Sequence, residues 1–151
     1  MANQSYQAIE IGELLVAVTK FKDDGWRLVQ IGATRLAEHV ELTYSFDRAL
    51  ELKNLRLLVP APGARVPSVS AVFWCAFLYE NELHDLFGVE VDGMAVDFHG
   101  AFYKTAVPFP FGAAPKVKPP SAARPAAPSA AAPAAPAAKP EPPGPHPSAS
   151  T

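Results

Sequence analysis

Cysteine is almost missing from this chain: Cys75 is the only one in 151 residues. One thiol excludes an intrachain disulfide, and it excludes a zinc or iron–sulfur site built from several cysteines. A lone Cys in an apolar run reads as a small buried hydrophobe. Long hydrophobic runs are missing too. The longest, Val69 to Tyr79 broken only by Ser70, is about half of what a bilayer span needs. Met1-Ala2-Asn3-Gln4-Ser5 carries neither the basic start nor the apolar stretch of a secretory signal. The expectation is a protein that is soluble, or peripheral to a membrane assembly. There is no Gly-x-Gly-x-x-Gly, no Walker loop and no Gly-x-Ser-x-Gly, so nucleotide cradles and nucleophile elbows are excluded.

What is present divides in two. Of 17 prolines, 14 fall at or after Pro108, and from Gly112 the text is almost entirely Ala, Pro, Ser and Lys. Such a segment has too little apolar surface to offset the entropy cost of ordering its backbone. The expected organisation is therefore a folded domain over 1–111 and a disordered Pro/Ala-rich tail over 112–151. About 110 residues suffice for one core and not for two. At about 3 Å per residue the tail would reach on the order of 100 Å as a semi-stiff spacer. It holds Lys116, Lys118, Arg124 and Lys139 against Glu141, whereas residues 1–111 carry nine Lys/Arg against fourteen Asp/Glu. Phosphate backbones are gripped chiefly by Lys and Arg, so an acidic domain argues against nucleic-acid binding.

Within the domain, Ile11, Leu14, Leu15, Val18 and Phe21 recur at helical spacing and predict an amphipathic first helix, stopped by Asp23-Asp24-Gly25. Trp26 to Ala37 reads as a strand. Val40, Leu42, Tyr44 and Phe46 alternate with Glu41, Thr43, Ser45 and Asp47, which predicts a strand with one buried and one wet face. Glu38-His39 is placed to turn between the two, and Leu52 to Val59 supplies a third strand. Val66 to Val89 predicts a second helix, apolar on all sides over Val72–Tyr79 and polar on one face over Glu80–Phe87, with Gly88 as its C-terminal cap. Val89–Asp92 is a short strand turned by Gly93. Residues 94–111 hold Phe98, Phe102, Tyr103, Phe109 and Phe111 without a period, so they predict an extended chain in want of a surface. A helix followed by consecutive strands predicts an α+β class: N-terminal helix, antiparallel sheet of three or four strands, second helix, disordered tail.

The candidate chemistry is the cluster Glu80, Glu82, His84 and Asp85. A di-metal carboxylate site needs Glu-x-x-His, but three residues before His84 stands Asn81. A zinc protease helix needs His-Glu-x-x-His, which is absent. An acid–base pair, or a small metal-dependent hydrolase using all four residues, stays open as a reading of another class. The plainer reading is that these side chains cap the helix, face water, or meet Lys and Arg of a neighbouring polypeptide.

Tyr79-Glu80-Asn81-Glu82-Leu83-His84-Asp85-Leu86-Phe87-Gly88-Val89 resembles the signature of the 30-kDa subunit family of NADH–quinone oxidoreductase, in which Glu-Arg-Glu precedes an apolar residue, Tyr-Asp, another apolar residue and Phe-Gly. Glu80 and Glu82 match the two glutamates, Asp85 the aspartate, and Phe87-Gly88 the closing pair. Asn81 and His84 stand in place of Arg and Tyr. These departures, with Gly93-Met94-Ala95-Val96-Asp97-Phe98-His99-Gly100 and the lack of the arginine-rich run of the respiratory form, are similar to the D subunit of Ech-type energy-converting NiFe hydrogenases.

The resemblance implies a subunit without catalytic residues, cofactor or metal of its own. Its partners would be the hydrogenase large (NiFe) subunit and the small iron–sulfur subunit, which hold the NiFe and 4Fe-4S centres. It would be peripheral on the cytoplasmic side of the cell membrane. Glu80, Glu82, His84, Asp85, Phe87 and Gly88 would form the partner interface. The alternative in the same family is the 30-kDa subunit of a respiratory NADH–quinone oxidoreductase.

Overall fold

A computed structural model describes residues 3–113. The chain starts with strand β1 (Asn3–Ala8) and a 3-10 turn (Ile11–Glu13), which leads into helix α1 (Leu14–Asp23). Strands β2 (Arg27–Arg35), β3 (His39–Arg48) and β4 (Glu51–Pro60) follow as two hairpins. After β5 (Arg65–Pro67) come helix α2 (Ala76–Glu82), a π-helical turn (Leu83–Phe87) and β6 (Glu90–Asp92).

The main sheet has the order β1-β4-β3-β2, with β2–β3 and β3–β4 antiparallel. The alternation on β3 falls as the sequence predicts, with Val40, Leu42, Tyr44 and Phe46 buried. Opposite them Leu55, Leu57 and Val59 of β4 complete the inner face. Leu14 and Val18 of α1 close that face, and Phe21 stacks on Phe46 with ring centroids 4.5 Å apart. Trp26, just past α1, has two cations against its ring: the Arg48 guanidinium lies 4.6 Å and the Lys53 ammonium 4.7 Å from its ring centre.

Two elements depart from expectation. The sheet is mixed, not wholly antiparallel, because β1 joins the edge parallel to β4 with Asn3 opposite Glu51. Every residue of β1 is exposed, so it buries no face and carries no alternation to read. The second helix is shorter than predicted. Val66-Pro67 lies in β5, residues 70–75 form turns and bends, and the helix begins only at Ala76. The uniformly apolar stretch has no period from which its start could be read. Trp74 in consequence is 64% exposed, and Cys75 is exposed where burial was expected.

The C-terminal end is as predicted. Gly88 adopts a left-handed φ of 72° and caps the turn. Its N–H donates to His84 O, and Val89 N–H donates to Leu83 O. Both bonds are one residue wider than in an ordinary Schellman ending, as a π-helical turn requires. The β3–β4 hairpin is less ordinary. Its two-residue loop is Ala49-Leu50, with φ of 48° and 69°. Such loops normally take Asn-Gly, and a non-glycine residue there costs about 1 kcal/mol. The predicted tail lies outside the described residues from 114 onward.

Candidate functional site

Helix α2 and its π-helical turn form the hub of three separate polar clusters, each tying a distant segment to the helix. Glu80 is 2% exposed and turns into the core. Its Oε1 accepts the Val69 backbone N–H at 2.6 Å, and its Oε2 accepts the Ser68 hydroxyl at 2.7 Å. Ser68 Oγ lies 2.6 Å from Ser70 Oγ, which accepts the Ala95 N–H at 2.9 Å. Burial pushes the Glu80 carboxyl above the ordinary glutamate range, and the bonds from Ser68, Val69 and Ser70 restrain the rise. Tyr44 is raised as well, first by burial and then by the charge of Glu80.

Asn81 is buried and uses its whole amide. Its Nδ2 donates to Phe77 O at 2.7 Å and to Val96 O at 2.9 Å, while its Oδ1 accepts the Phe98 N–H at 2.9 Å. Asp85, 5% exposed, accepts the Tyr103 N–H on Oδ2 at 2.7 Å, and its Oδ1 lies 3.0 Å from His84 Nδ1. Burial alone would raise this carboxyl. The His84 ring and the Tyr103 and Phe102 amides outweigh it and hold Asp85 below the usual aspartate range. An ionised Asp85 only accepts, which fixes the His84 proton on Nδ1.

Residues 94–113 thus become a strap clamped across the helix hub. Asn81 fixes its start, Asp85 its middle. Near its end, Phe111 N–H donates to Leu86 O at 2.8 Å and Arg35 Nε donates to Gly112 O at 2.8 Å. Phe109 packs edge-on against His84, with centroids 5.9 Å apart. The strap leaves Phe98, Tyr103, Val107, Phe109 and Phe111 between 41% and 56% exposed.

Of the residues expected to meet a partner, the structure leaves Glu82, His84, Phe87 and Gly88 half-buried near the surface. Glu82 accepts the Tyr103 hydroxyl at 3.3 Å. Glu80 and Asp85 do not face outward. One oxygen of each accepts a backbone N–H of this chain that would otherwise be left unpaired, and the other meets the Ser68 hydroxyl or the His84 ring. The four candidate groups are also not brought to one point: Glu80 points to the Ser68 segment, Asp85 and Glu82 to Tyr103. Among the described residues no group of three or more His, Cys, Asp or Glu could hold a metal ion. The hydrolase reading has no ligand set to rest on. Sequence reasoning missed Ser68 and Ser70, and it missed the clamping role of Asn81. The signal available for the serines was two polar residues at the head of an apolar run.

No helix among the described residues is long and apolar enough to cross a membrane. The family model described as "Respiratory-chain NADH dehydrogenase, 30 Kd subunit" matches residues 9–98. No curated protein matches. Solved structures share the fold, two of them as follows. One is a chain of the membrane-bound sulfane sulfur reductase, an archaeal respiratory membrane complex, with a TM-score of 0.60 and 21% identity. That match covers 66% of this chain and 62% of the other, so the present chain spans less than two thirds of its length. The second is a trypsin-resistant fragment of Nqo5, with a TM-score of 0.56 and 19% identity, covering 62% of this chain and 82% of that one.

Proposed function

Because the chain belongs to the respiratory-chain NADH dehydrogenase 30 Kd subunit family, we propose that it is a non-catalytic assembly subunit of a membrane-bound energy-converting NiFe hydrogenase, with ferredoxin-linked hydrogen chemistry coupled to ion translocation. In this reading it docks the large NiFe subunit and the small iron–sulfur subunit from the cytoplasmic side of the membrane, and the metal centres belong to those partners.

The observation that carries the docking role is the clamped strap. Five bulky apolar residues stay at least two-fifths exposed on a segment whose backbone is fixed by Asn81, Asp85 and Arg35. A surface ordered beforehand loses little entropy on association, and buried aromatics carry much of the affinity of an interface. The carboxylates nearest the strap serve its geometry, so the site is built to present a surface.

The hydrogenase assignment is supported by the sites where the sequence departs from the respiratory motif. Asn81 fits a space in which three backbone groups converge, and two of them, on Val96 and Phe98, belong to the Gly93–Gly100 run. Two of the features that carry the Ech-type resemblance, Asn81 and the Gly93–Gly100 run, are therefore physically coupled. The respiratory reading, as the 30-kDa subunit of an NADH–quinone oxidoreductase, is favoured instead by the family description and by the likeness to Nqo5.

The test is purification of the tagged full chain from membranes solubilised in mild detergent. The expected result is a stoichiometric complex containing nickel and iron–sulfur clusters. A complex with flavin and no nickel would transfer the assignment to the respiratory form. A chain recovered alone from intact, active membranes would overturn the docking role itself.

A further inference from the structure

The most exposed large apolar side chain among the described residues is Leu50, at 88%. It sits at the tip of the β3–β4 hairpin, in the two-residue loop whose residues both have positive φ without being glycine. The loop is not slack. Arg48, at its base, donates to Asp24 O at 2.6 Å while its guanidinium covers Trp26, so the hairpin is buttressed against the turn after α1. A folding requirement explains neither an uncovered leucine nor the unfavourable backbone that holds it out. Strain of this kind persists where a surrounding structure imposes it for use.

We propose that Leu50 is a knob that seats in an apolar pocket with a carboxylate rim on a second polypeptide, separate from the one that covers the strap. This rests on the reading of the chain as an assembly subunit. The carboxylate rim follows from charge. Lys20, Lys22, Arg27, Arg48 and Lys53 gather at this end: Arg48 and Lys53 on Trp26, Lys20 in the same hollow, Lys22 over Phe73, Arg27 on Asp47. They are five of the nine Lys/Arg in residues 1–111, accompanied there by Asp23, Asp24, Asp47 and Glu51 out of fourteen acids. The rest of the domain is strongly acidic, so among the described residues the tip is the cationic end, suited to an acidic surface.

Separateness follows from the distance between the tip and the C-terminal end of the strap, where Phe109 and Phe111 are exposed. The strap is anchored on Arg35, whose guanidinium also bonds Leu36 O and His39 O at the β2–β3 turn. Leu50 lies at the other end of β3, ten residues long, or about 30 Å away. A membrane is the weaker candidate for the tip. A single myristoyl chain gives only marginal lipid binding, and one leucine side chain is far shorter.

The experiment uses the full chain with the double substitution Ala49→Asn and Leu50→Gly, the residues this turn prefers. Released strain is expected to raise the Tm of the purified chain by about 5 °C. Retention in the detergent-solubilised complex is expected to fall about tenfold, with one subunit lost. In parallel, Phe109→Ser with Phe111→Ser tests the strap. An unchanged Tm of the tip variant removes the strain and overturns the inference. A raised Tm with undiminished retention overturns it as well. If the strap variant is lost while the tip variant is retained, only the knob fails. If both are retained, the docking role fails with it. Wild-type chain that binds vesicles of anionic phospholipid, with that binding lost in the tip variant and every subunit retained, overturns the protein pocket in favour of lipid.

Discussion

Asp85 Oδ2 accepts the backbone N–H of Tyr103 at 2.7 Å, a bond joining the π-helical turn to a residue eighteen positions away. The carboxylate is nearly buried, so this bond and the His84 contact decide its ionisation. They also decide whether the middle of the strap stays down.

Removing that carboxylate by Asp85→Ala should destabilise the chain by about 1.5–3 kcal/mol, the usual range for a lost charge-assisted bond. The pH dependence has a definite sign. The folded-state carboxyl is held below its ordinary value, so the unfolded state binds more protons on acidification. The stabilisation is complete above the usual aspartate range and is lost as pH falls toward the depressed value. Urea melts of wild type and Asp85→Asn over a pH series check this. Their stabilities should converge in acid and separate toward neutrality.

Glu80 carries the opposite sign. Its carboxyl is raised, so the folded state holds its proton longer than the unfolded state does. Its contribution is largest below the ordinary glutamate range and shrinks as pH rises to the raised value. Glu80→Gln retains an acceptor for the Val69 N–H and never ionises. Relative to wild type it should gain stability as pH rises through that window. Glu80→Ala leaves that buried N–H unpartnered and forces the Ser68 hydroxyl to turn to Ser70, a loss of about 2–3 kcal/mol by the same urea melts.

The contrast between these carboxylates shows where sequence reading stops. On β3 the alternation was legible because one face of the strand is wet and its residue types say so. Gly88 was legible because a glycine after a polar-faced helix has a local backbone reason to be there. Glu80 and Asp85 look like any acidic helix face. Their partners are backbone amides eleven and eighteen residues distant, which no residue type announces. Strand β1 was invisible for the reverse reason: with all six residues exposed, it shows no apolar face to read. Trp74 and Cys75 were misplaced because an apolar stretch with no polar face does not show which side is covered.

Asn81→Ala should free the start of the strap without touching the sheet. Three bonds disappear, and the Phe98 N–H and Val96 O lose their protein partner. Amide exchange at Phe98 should accelerate by at least about tenfold, as expected when a local opening is eased by about 1.4 kcal/mol or more. Exchange at Leu42 and Leu57, deep in the sheet, should keep its wild-type order. Equal acceleration at both places would mean that Asn81 supports the whole domain rather than the strap.

Gly88 joins the cap to the strap, so one methyl group tests both. With φ at 72°, Ala at this position costs about 1 kcal/mol in backbone alone. The added Cβ would also come within 3.1 Å of the Phe109 ring, closer than ordinary contact allows. Phe109 has a φ of 49° and rests on His84, so it has little freedom to yield without lifting. Gly88→Ala should therefore lower Tm by more than the backbone cost alone, by roughly 5–10 °C for a domain of this size. Phe109→Ala in the same chain removes the clash but not the φ penalty. It should recover the part of the loss due to the ring, and calorimetry of the four chains in this cycle would separate the two terms. Simple additivity would mean that the strap does not lie on the helix cap.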